Sequence, residues 1–595
     1  MLTWAYFSEV FMGVDTPIDN SARIRGAFYR GSRALSPLAE WMHVPLDQIN
    51  YVFCGLLSIS LGHLLMRRKF SPSNSTPHTR AIVETILGLS LLSFCFGNQL
   101  RVLLLQSVVA YAIMWLLPSS RLSAVLVTVW SMFYMTLVHL CRLQYDYGGY
   151  TMDISGPVMV QTQRLSSLAF NLADGSLIRE RERCKTLKSQ SVNVKPERVS
   201  AASVNLLSDD ALMDHTHPSV NSLKCMLVRS LKSFTDGPAR SLSERTAFTN
   251  DFFIQTYLDR LLTKTPPTFS RPIRPNMLTN MLPSHIEHAV ERLPGPLEFF
   301  AYTLCFHGAC VGPFVFFSEY QEYLMGYEKR QLPPVPWRYM LRLFLRTTAC
   351  GLLSAYLSPV FPFEFVVTET FMAWPILQRV LYSTASLFLV RQKYYFAWGL
   401  AELGGISSGI GFSGYCPSSG QPIYHKVCNF ELQQIESGVG LKHVIDAWNI
   451  STTRWLREVF YDRLPHSCRT ALVFIISAFW HGFYPGYYLM FCTFAMFTFV
   501  SRMWRRNMRT LCRRTALSTF LYNLFTTVTT NVAINYAQAP FHLLDLSASL
   551  FFWRAFYFVP HWTGALLLFG HFVRPRLIRS KRWRIPLPHG RTVGG

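Results

Sequence analysis

Residues 475–489 read IISAFWHGFYPGYYL, and the rest of the chain is organised around this stretch. The apolar residues before Trp480 predict a helix, and the Pro-Gly pair at 485–486 predicts a break before the helix resumes. From 471 to 500 the two halves cover about 30 residues, whereas one bilayer crossing takes about 20. We therefore expect two short crossings, or one crossing with a re-entrant bend. Because an ionisable side chain is costly at membrane depth, His481 is a candidate functional residue; a buried histidine that caps a helix end is the alternative.

The composition indicates a polytopic membrane protein. Of 595 residues, 50% are hydrophobic and only 15% are charged, where a soluble protein carries about 25%, and the mean hydropathy is +0.19. The net charge of +23 lies in loops beside apolar runs, as at 67–69 and 502–514, which is the positive-inside pattern and not a nucleic-acid surface. The 13 cysteines show neither C-x-x-C nor paired Cys/His spacing, so we expect no disulfide framework and no metal site. The first residues lack the features of a signal peptide, so we expect no cleavage there.

Apolar runs predict an all-α protein of about eleven transmembrane helices, if the broken helix counts as one crossing, or twelve if it counts as two. The predicted spans are 50–66, 81–96, 103–117, 122–140, 297–317, 340–356, 371–389, 394–410, 471–500, 517–534 and 550–572.

The remaining segments differ in composition. The predicted parts are an N-terminal segment (1–48), a first transmembrane part (49–176), a polar insertion (177–292), a second transmembrane part (293–575) and a basic tail (576–595). The insertion is rich in Ser, Thr, Pro and charge, so we expect it to be mostly disordered and cytosolic. Within it, 251–262 has apolar residues at helical spacing and predicts a short packed helix or, alternatively, a helix on the membrane surface. The tail is expected to be cytosolic.

A polar stretch, 139–175, lies between predicted spans. Polar groups at membrane depth are tolerated only where they are buried in protein or line a cavity. Asp146 and Asp153 are therefore candidate lining residues, and an ordinary loop with turn residues is the alternative.

The long segment 411–466 contributes Asn449. A neutral histidine is a natural general base for an alcohol near pH 7, and a carboxamide can donate to a developing oxyanion or hold a substrate. His481 and Asn449 together suit transfer of an acyl group to a hydroxyl. No G-x-S-x-G nucleophile elbow is present, which weakens a covalent-intermediate mechanism.

The motifs around these two residues resemble a known family. Residues 448–456 read WNISTTRWL, 477–482 read SAFWHG and 485–488 read PGYY. This ordered set is similar to the lysophospholipid acyltransferase branch of the membrane-bound O-acyltransferase (MBOAT) family, in which W-N-x-x-T-x-x-W-L precedes S-A-x-W-H-G-x-x-P-G-Y-Y. Further matches are KYYFAW at 393–398, GFSG at 411–414 and VGP at 311–313. The similarity covers roughly 50–175 and 293–575.

The resemblance implies an MBOAT-like fold whose helices enclose an intramembrane cavity, with His481 as catalytic base and Asn449 as its companion in a catalytic core at 293–575. It also implies acyl-CoA as co-substrate without a permanently bound cofactor, a lysophospholipid as acceptor, and a multi-pass enzyme of the endoplasmic reticulum membrane. Candidate substrate-binding residues, for which packing is the alternative role, are Trp448, Thr452, Trp480, Tyr487, Tyr488, Asp146 and Asp153.

Two departures from the family pattern and two alternatives accompany this interpretation. The insertion is longer than the resemblance leads us to expect, and Phe306-His307-Gly308 imitates the catalytic tripeptide without the flanking Trp or the P-G-Y-Y break. We interpret His307 as a histidine that imitates the motif without a direct chemical role.

The same fold could acylate a sterol, a diacylglycerol or a peptide. A lipid transporter or non-catalytic scaffold is a different class, but transporters often contain internal repeats and none is visible here.

Overall fold

The computed structural model describes residues 29–149, 151–192, 281–308, 310–327 and 331–582. The chain divides into two compact units, Met1–Ile178 with Pro267–Gly595, and Arg179–Pro266. Every candidate site residue lies in the first unit. The predicted helix at 251–262 and most of the predicted tail lie outside the described residues.

Helices make up nearly all of the described regular structure, in agreement with the all-α prediction. In chain order they are α1 Ser36–Met42, α2 Leu46–Leu61, α3 Pro77–Phe96, α4 Leu100–Leu116, α5 Arg121–Tyr145, α6 Ser155–Val192, α7 Pro283–Glu287, α8 Pro296–Thr303, α9 Phe317–Met325, α10 Trp337–Leu352, α11 Glu369–Ala373, α12 Ile376–Ser408, α13 Leu432–Ser437, α14 Leu441–Ala447, α15 Ile450–Leu456, α16 Arg469–His481, α17 Pro485–Cys512, α18 Ala516–Leu543, α19 Leu546–Arg554 and α20 Val559–Arg582. A small antiparallel hairpin pairs β1 (Gly414–Tyr415) with β2 (Pro422–Ile423).

Within the described residues, four helical stretches, of which the second and fourth contain local breaks, are long and apolar enough to cross a membrane: Leu46–Lys69, Pro77–Leu116, Arg121–Tyr145 and Trp337–Val367. They contain the spans predicted at 50–66, 81–96, 103–117 (short of its last residue), 122–140 and 340–356. The membrane-spanning, helical architecture is therefore confirmed, and the number eleven stays a prediction.

The predicted span at 297–317 is wrong. The helix α8 ends at Thr303, the described residues between 304 and 316 are not helical, and α9 begins at Phe317. The connecting segment contains Gly308, Gly312 and Pro313, which disfavour a continuous helix. Most of its described apolar side chains, such as Leu304, Phe306 and Phe314, are nevertheless buried, so the hydrophobicity reflects a core position and not a lipid-facing helix.

The predicted spans 371–389 and 394–410 are also wrong as separate crossings, because most of both belongs to the single helix α12. The charged residues between them do not interrupt it. Arg391 is buried and donates to both carboxylate oxygens of Glu436, at 2.9 and 2.6 Å, and to Asn535 Oδ1 at 2.8 Å. A charge that is fully paired in this way can lie inside a helix bundle.

The predicted span 550–572 is wrong as a single helix, because the structure divides it into two. The helix α19 ends at Arg554 and α20 begins at Val559. Between them Tyr557 and Phe558 adopt left-handed backbone angles, with φ of 52° and 54°, which a continuing helix does not allow. The single predicted helix therefore becomes two.

Both ends of the predicted insertion at 177–292 are ordered. The helix α6 continues past 177 to Val192, and the segment that follows α7 is buried in the first unit, with His288 3% exposed. His288 Nδ1 lies 2.9 Å from a carboxylate oxygen of Glu458. This end of the predicted insertion therefore contains a buried, hydrogen-bonded histidine, while residues 193–280 lie outside the described chain.

The polar stretch at 139–175 includes most of the buried part of α6. Its polar side chains Gln161, Thr162, Gln163, Arg164, Ser166, Ser167, Asn171 and Asp174 are each at most 2% exposed. The alternative of an ordinary loop is therefore wrong from Ser155 onward. This buried polar helix provides the hydrogen-bonding partners that hold the candidate site.

Candidate active site

His481 is the last residue of α16, at the predicted break. Gly482 ends the helix with φ of 125°, a region that favours glycine, and its N–H bonds back to the carbonyl oxygens of Ala478 and Phe479, at 3.2 Å each. Pro485 then begins α17, where a missing N–H costs nothing. The break places the His481 side chain at a helix end instead of within a continuous helical wall.

The break is fixed against the end of α18. The Gly486 N–H donates to the Leu544 carbonyl oxygen at 2.8 Å. A Cβ at Gly486 would lie 2.0 Å from the Pro540 carbonyl oxygen, so no larger residue fits without a backbone shift. The P-G pair thus provides both the helix start and the close approach of the two helices.

Four aromatic rings surround the His481 imidazole. Its ring centroid lies 4.7 Å from that of Trp480, 5.8 Å from Tyr487, 5.3 Å from Phe491 and 5.0 Å from Phe541. The side chain is partly exposed and makes no hydrogen bond with any residue that the structure describes. The rings hold the imidazole in place while both of its nitrogens stay available to a bound molecule.

His139, on α5, supports the same helix end. Its Nε2 lies 3.2 Å from the Trp480 carbonyl oxygen, and its ring faces Gly482. A carbonyl can only accept, so Nε2 carries the proton. The sequence analysis assigned no role to His139; the available signal was a histidine on an otherwise apolar helix.

Asn449 immediately precedes α15 and adopts a left-handed backbone conformation, with φ of 49° and ψ of 56°. Asparagine tolerates this region better than most residues. Its side chain does not cap the helix; instead, Asn449 Oδ1 accepts a hydrogen bond of 3.2 Å from Nδ2 of Asn429, a residue that the sequence analysis missed. The carboxamide of Asn449 is therefore held from one side and partly exposed.

A series of ring contacts connects the neighbour of Asn449 to His481. Trp448 lies 5.8 Å from Tyr394, which lies 6.1 Å from His542. His542 lies 5.4 Å from Phe541, and Phe541 contacts His481. His481 and Trp448, the chain neighbour of Asn449, therefore belong to one continuous aromatic cluster, which also includes the predicted residue Tyr487, 4.7 Å from Phe541.

Thr452 and Trp480 bind the buried helix α6. Gln163 Nε2 donates to Thr452 Oγ1 at 2.8 Å, and the indole N–H of Trp480 donates to the Met159 carbonyl oxygen at 3.1 Å. Trp455, which the motif also contains, donates its indole N–H to Ser166 Oγ at 2.8 Å. These bonds join α15 and α16 to the same helix, which explains why the two motifs occur together; substrate binding by Thr452 or Trp480 stays a prediction.

The two predicted aspartates take part in ion pairs near the break. Asp153 accepts from an Arg142 nitrogen at 2.6 Å and from the Tyr145 hydroxyl at 2.5 Å. Asp146 lies 3.6 Å from Arg142. The loop that carries them contacts the break through Tyr484, whose hydroxyl accepts from the Gly148 N–H at 2.9 Å. The structure thus shows them stabilising this loop.

Tyr488 is placed differently from Tyr487. Adjacent residues of a helix point about 100° apart, so only one of them can face His481. Tyr488 makes neither a ring contact nor a side-chain hydrogen bond within the described part of the chain. Its role in binding substrate stays a prediction.

His307 lies in a different and sealed environment. It is 5% exposed; its Nδ1 is 3.2 Å from Cys305 Sγ and 3.6 Å from Glu84 Oε2. The other oxygen of Glu84 accepts from the Tyr323 hydroxyl at 2.7 Å. An adjacent cavity of about 30 Å³ has room for about one or two water molecules. The absence of a chemical role for His307 stays a prediction.

Glu84, Cys305 and His307 also form a group whose possible metal-ligand atoms lie within 4.8 Å of one another. The Arg80 guanidinium lies 4.8 Å over the Tyr323 ring, beside this group, and supplies a positive charge there. Structural zinc sites have four ligands, and a neighbouring guanidinium opposes a cation. The arrangement therefore favours a buried hydrogen-bonded cluster over a metal site.

Neither cavity that we describe has His481 or Asn449 in its wall. The first adjoins His307, and the second is a cleft of about 390 Å³ lined by residues that include Glu322, Tyr327 and Lys426. We therefore identify the candidate active site from the availability of the His481 nitrogens and the Asn449 carboxamide, and not from cavity volume.

Known proteins are similar to this chain in sequence. A model of the membrane-bound O-acyltransferase family, MBOAT, matches residues 112–538. Membrane-bound glycerophospholipid O-acyltransferase 2 of Gallus gallus is 29% identical over 560 residues, which cover 90% of this chain and 88% of the relative. Lysophospholipid acyltransferase 6 of Drosophila melanogaster is 27% identical over 572 residues, covering 93% and 65%. Lysophospholipid acyltransferase of Schizosaccharomyces pombe is 30% identical over 328 residues, covering 50% and 63%.

The family match spans more than half of the chain and includes Asn449, His481 and the buried helix α6. It agrees with the membrane-spanning helices and with the motifs of the sequence. The chain belongs to the membrane-bound O-acyltransferase family.

Proposed function

We propose that the chain is a lysophospholipid acyltransferase that moves a fatty acyl group from acyl-CoA to the free hydroxyl of a lysophospholipid in the endoplasmic reticulum membrane. The observation that carries the proposal is the partly exposed His481 imidazole, which is held by aromatic rings and has no hydrogen-bond partner among the described residues. The names of the relatives support this acceptor class.

The acyl thioester is already activated, so the protein's task is to bring it to a membrane-dissolved hydroxyl. Holding the reacting atoms about 3–3.5 Å apart turns a bimolecular reaction into an effectively unimolecular one. A neutral His481 nitrogen accepts the hydroxyl proton while the hydroxyl oxygen attacks the thioester carbonyl carbon. The new C–O bond forms a tetrahedral oxyanion, to which Asn449 donates a hydrogen bond.

Collapse of the oxyanion breaks the C–S bond. The CoA thiolate leaves and takes the proton from the protonated His481, which returns the imidazole to its neutral state. The products are a diacyl phospholipid and CoA, and no protein side chain becomes acylated. This sequence needs both substrates to be bound together.

The proposal is tested by an acylation assay in membranes that contain the full chain. Radiolabelled acyl-CoA is supplied with a panel of lysophospholipids that differ in headgroup, and separately with a sterol and a diacylglycerol. We expect labelled phospholipid from at least one lysophospholipid, and formation of that product to be slower by about 10²–10⁴ with the His481→Ala variant. Acylation confined to the sterol or the diacylglycerol, or no acylation of any acceptor, would contradict the proposed function.

A further inference from the structure

Asn429, in the segment between β2 and α13, is 1% exposed and binds three consecutive residues of the W-N motif. Its Nδ2 donates to Asn449 Oδ1 at 3.2 Å. Its backbone carbonyl oxygen accepts from the Ile450 N–H at 2.9 Å. Its Oδ1 accepts from the Ser451 N–H at 3.0 Å and from the Ser451 hydroxyl at 2.7 Å. No other asparagine contacts Asn449 within the described residues.

These partners determine which way both carboxamides face. A backbone N–H can only donate, so the atom of Asn429 that faces Ser451 has to be the oxygen. The amide nitrogen of Asn429 then faces Asn449, and a donor requires an acceptor opposite it. Asn449 therefore turns its oxygen towards Asn429, and its own NH₂ group points away from Asn429.

We infer that Asn429 is a positioning residue that presents the NH₂ group of Asn449, and not its oxygen, to the reacting atoms. The inference rests on the proposed function, in which Asn449 acts on the oxyanion. A negative oxygen is stabilised by a donor aimed at it before the reaction and is destabilised by a carbonyl oxygen in the same place. If the Asn449 carboxamide rotated by half a turn, its oxygen and not its NH₂ group would face the reacting atoms.

A purely structural role is the competing explanation. The Ser451 N–H is among the first N–H groups of α15, which lack partners within the helix, and Asn429 Oδ1 satisfies it. Under this explanation Asn429 holds the start of α15 and any loss of activity follows loss of stability. The two explanations differ in what happens when Asn449 is absent.

The test uses Asn429→Asp in the full chain. Aspartate keeps the oxygen that accepts from Ser451 but provides no N–H for Asn449, so the Asn449 carboxamide turns its NH₂ group towards the new carboxylate. We expect kcat to fall about 10- to 100-fold, with KM for both substrates within about twofold and the thermal unfolding midpoint of the detergent-purified protein unchanged.

Asn535→Asp is the matched control. Asn535 is also buried, its Nδ2 donates to Asn531 Oδ1 at 2.9 Å, and its Oδ1 accepts from Arg391 at 2.8 Å. The substitution therefore removes the same kind of Asn–Asn hydrogen bond at a position that contacts neither His481 nor Asn449. We expect its kcat to stay within about twofold of the wild-type value.

A double-mutant cycle separates the two explanations. In the Asn449→Ala background, Asn429→Asp should cause no further loss of kcat, because Asn429 acts through Asn449. Losses that multiply, or a wild-type kcat for Asn429→Asp, would overturn the inference. A wild-type kcat for Asn449→Ala would instead contradict the proposed function, so the two failures are distinguishable.

A variant at the other residue keeps the inference testable if Asn429→Asp does not fold. Asn449→Asp retains an oxygen towards Asn429 and loses only the outward NH₂ group. We expect its kcat to be as low as that of Asn449→Ala. Turnover near the wild-type value for Asn449→Asp would show that the donor is not the group that acts, and would overturn the inference.

Discussion

The chain contains two tripeptides of aromatic residue, histidine and glycine, and the fold gives them opposite surroundings. His307 is enclosed by hydrogen-bonding groups, with Cys305 and Glu84 beside its Nδ1. His481 is enclosed by aromatic rings and has no hydrogen bond to a described residue. The His307 side chain is buried and its Nδ1 lies beside Cys305 and Glu84, whereas the His481 imidazole is partly exposed and held only by ring contacts, so we expect a substrate hydroxyl to reach His481 and not His307. The comparison therefore supports the proposal that His481, and not His307, is the catalytic base.

The largest expected effect is that of His481→Ala on turnover. Loss of the general base should lower kcat by about 10²–10⁴, while abundance in the membrane and the thermal midpoint stay close to those of the wild type. Both quantities are measured on one detergent-purified sample with an acyl-CoA assay and a thermal unfolding assay. A parallel loss of abundance and activity would support a structural histidine instead.

Asn449→Ala is expected to have the next largest effect. Removing one oxyanion donor costs about 10²–10³ in kcat in other acyl-transfer enzymes. KM for acyl-CoA should change little, since the interaction forms in the transition state. The check is steady-state kinetics at varied acyl-CoA; a raised KM with unchanged kcat would assign Asn449 to substrate binding alone.

His139→Leu should have a smaller effect on the same site. The variant leaves the Trp480 carbonyl oxygen without the donor that lies 3.2 Å away. Losing one hydrogen bond that holds the helix end costs about 1 kcal/mol. If this cost is added to the activation free energy, kcat falls about fivefold. Thr136→Val is the control on α5, because the Thr136 hydroxyl bonds only to the Met132 carbonyl oxygen of its own helix, at 2.9 Å. Equal kcat for the two variants would show that His139 does not support the site.

His307→Ala reverses the pattern of His481→Ala. It should retain most turnover but lower the free energy of unfolding by about 1–3 kcal/mol, because Glu84 and Cys305 lose a buried polar neighbour. Thermal unfolding and kcat of the purified variant provide the measurement. A stable but inactive His307→Ala protein would remove the distinction between the two tripeptides.

The smallest effect is expected for the insertion. Replacing 185–264 with a short Gly/Ser linker should preserve acyl transfer in liposomes, since the composition of that segment cannot bury enough apolar surface to fold alone. The replacement starts after the last α6 residues whose side chains are described and stops before the described segment at 281–292, which includes the buried His288. Loss of activity with normal expression would show that the segment contributes to the site or gates it.

The sequence alone was sufficient to predict local features whose geometry is determined by the residues of one short motif. Gly482, Pro485 and Gly486 predicted the helix break at His481, because glycine and proline restrict the backbone locally. The spans before Tyr145 were predicted from long apolar runs, and the structure adds the capping residues Thr76 and Ser120 at the start of two of these helices.

Features that depend on distant partners were not predictable from the sequence. Nothing local to Arg391 shows that Glu436 and Asn535 neutralise it inside one long helix. The apolar run at 297–317 has the hydropathy of a span but is a core segment without a continuous helix. Asn429 lies 20 residues before Asn449, and only the fold shows that they are bonded.

The central claim is that His481 promotes direct transfer from acyl-CoA to the acceptor hydroxyl, and the presence or absence of an acyl-enzyme tests it most directly. The purified full chain is mixed with radiolabelled acyl-CoA without acceptor, quenched, and analysed for covalently bound label; lysophospholipid is then added as a chase. For direct transfer we expect no stoichiometric covalent label on the protein, together with the initial-rate patterns of a sequential mechanism. A stoichiometric acyl-enzyme that transfers its label to lysophospholipid would contradict the account.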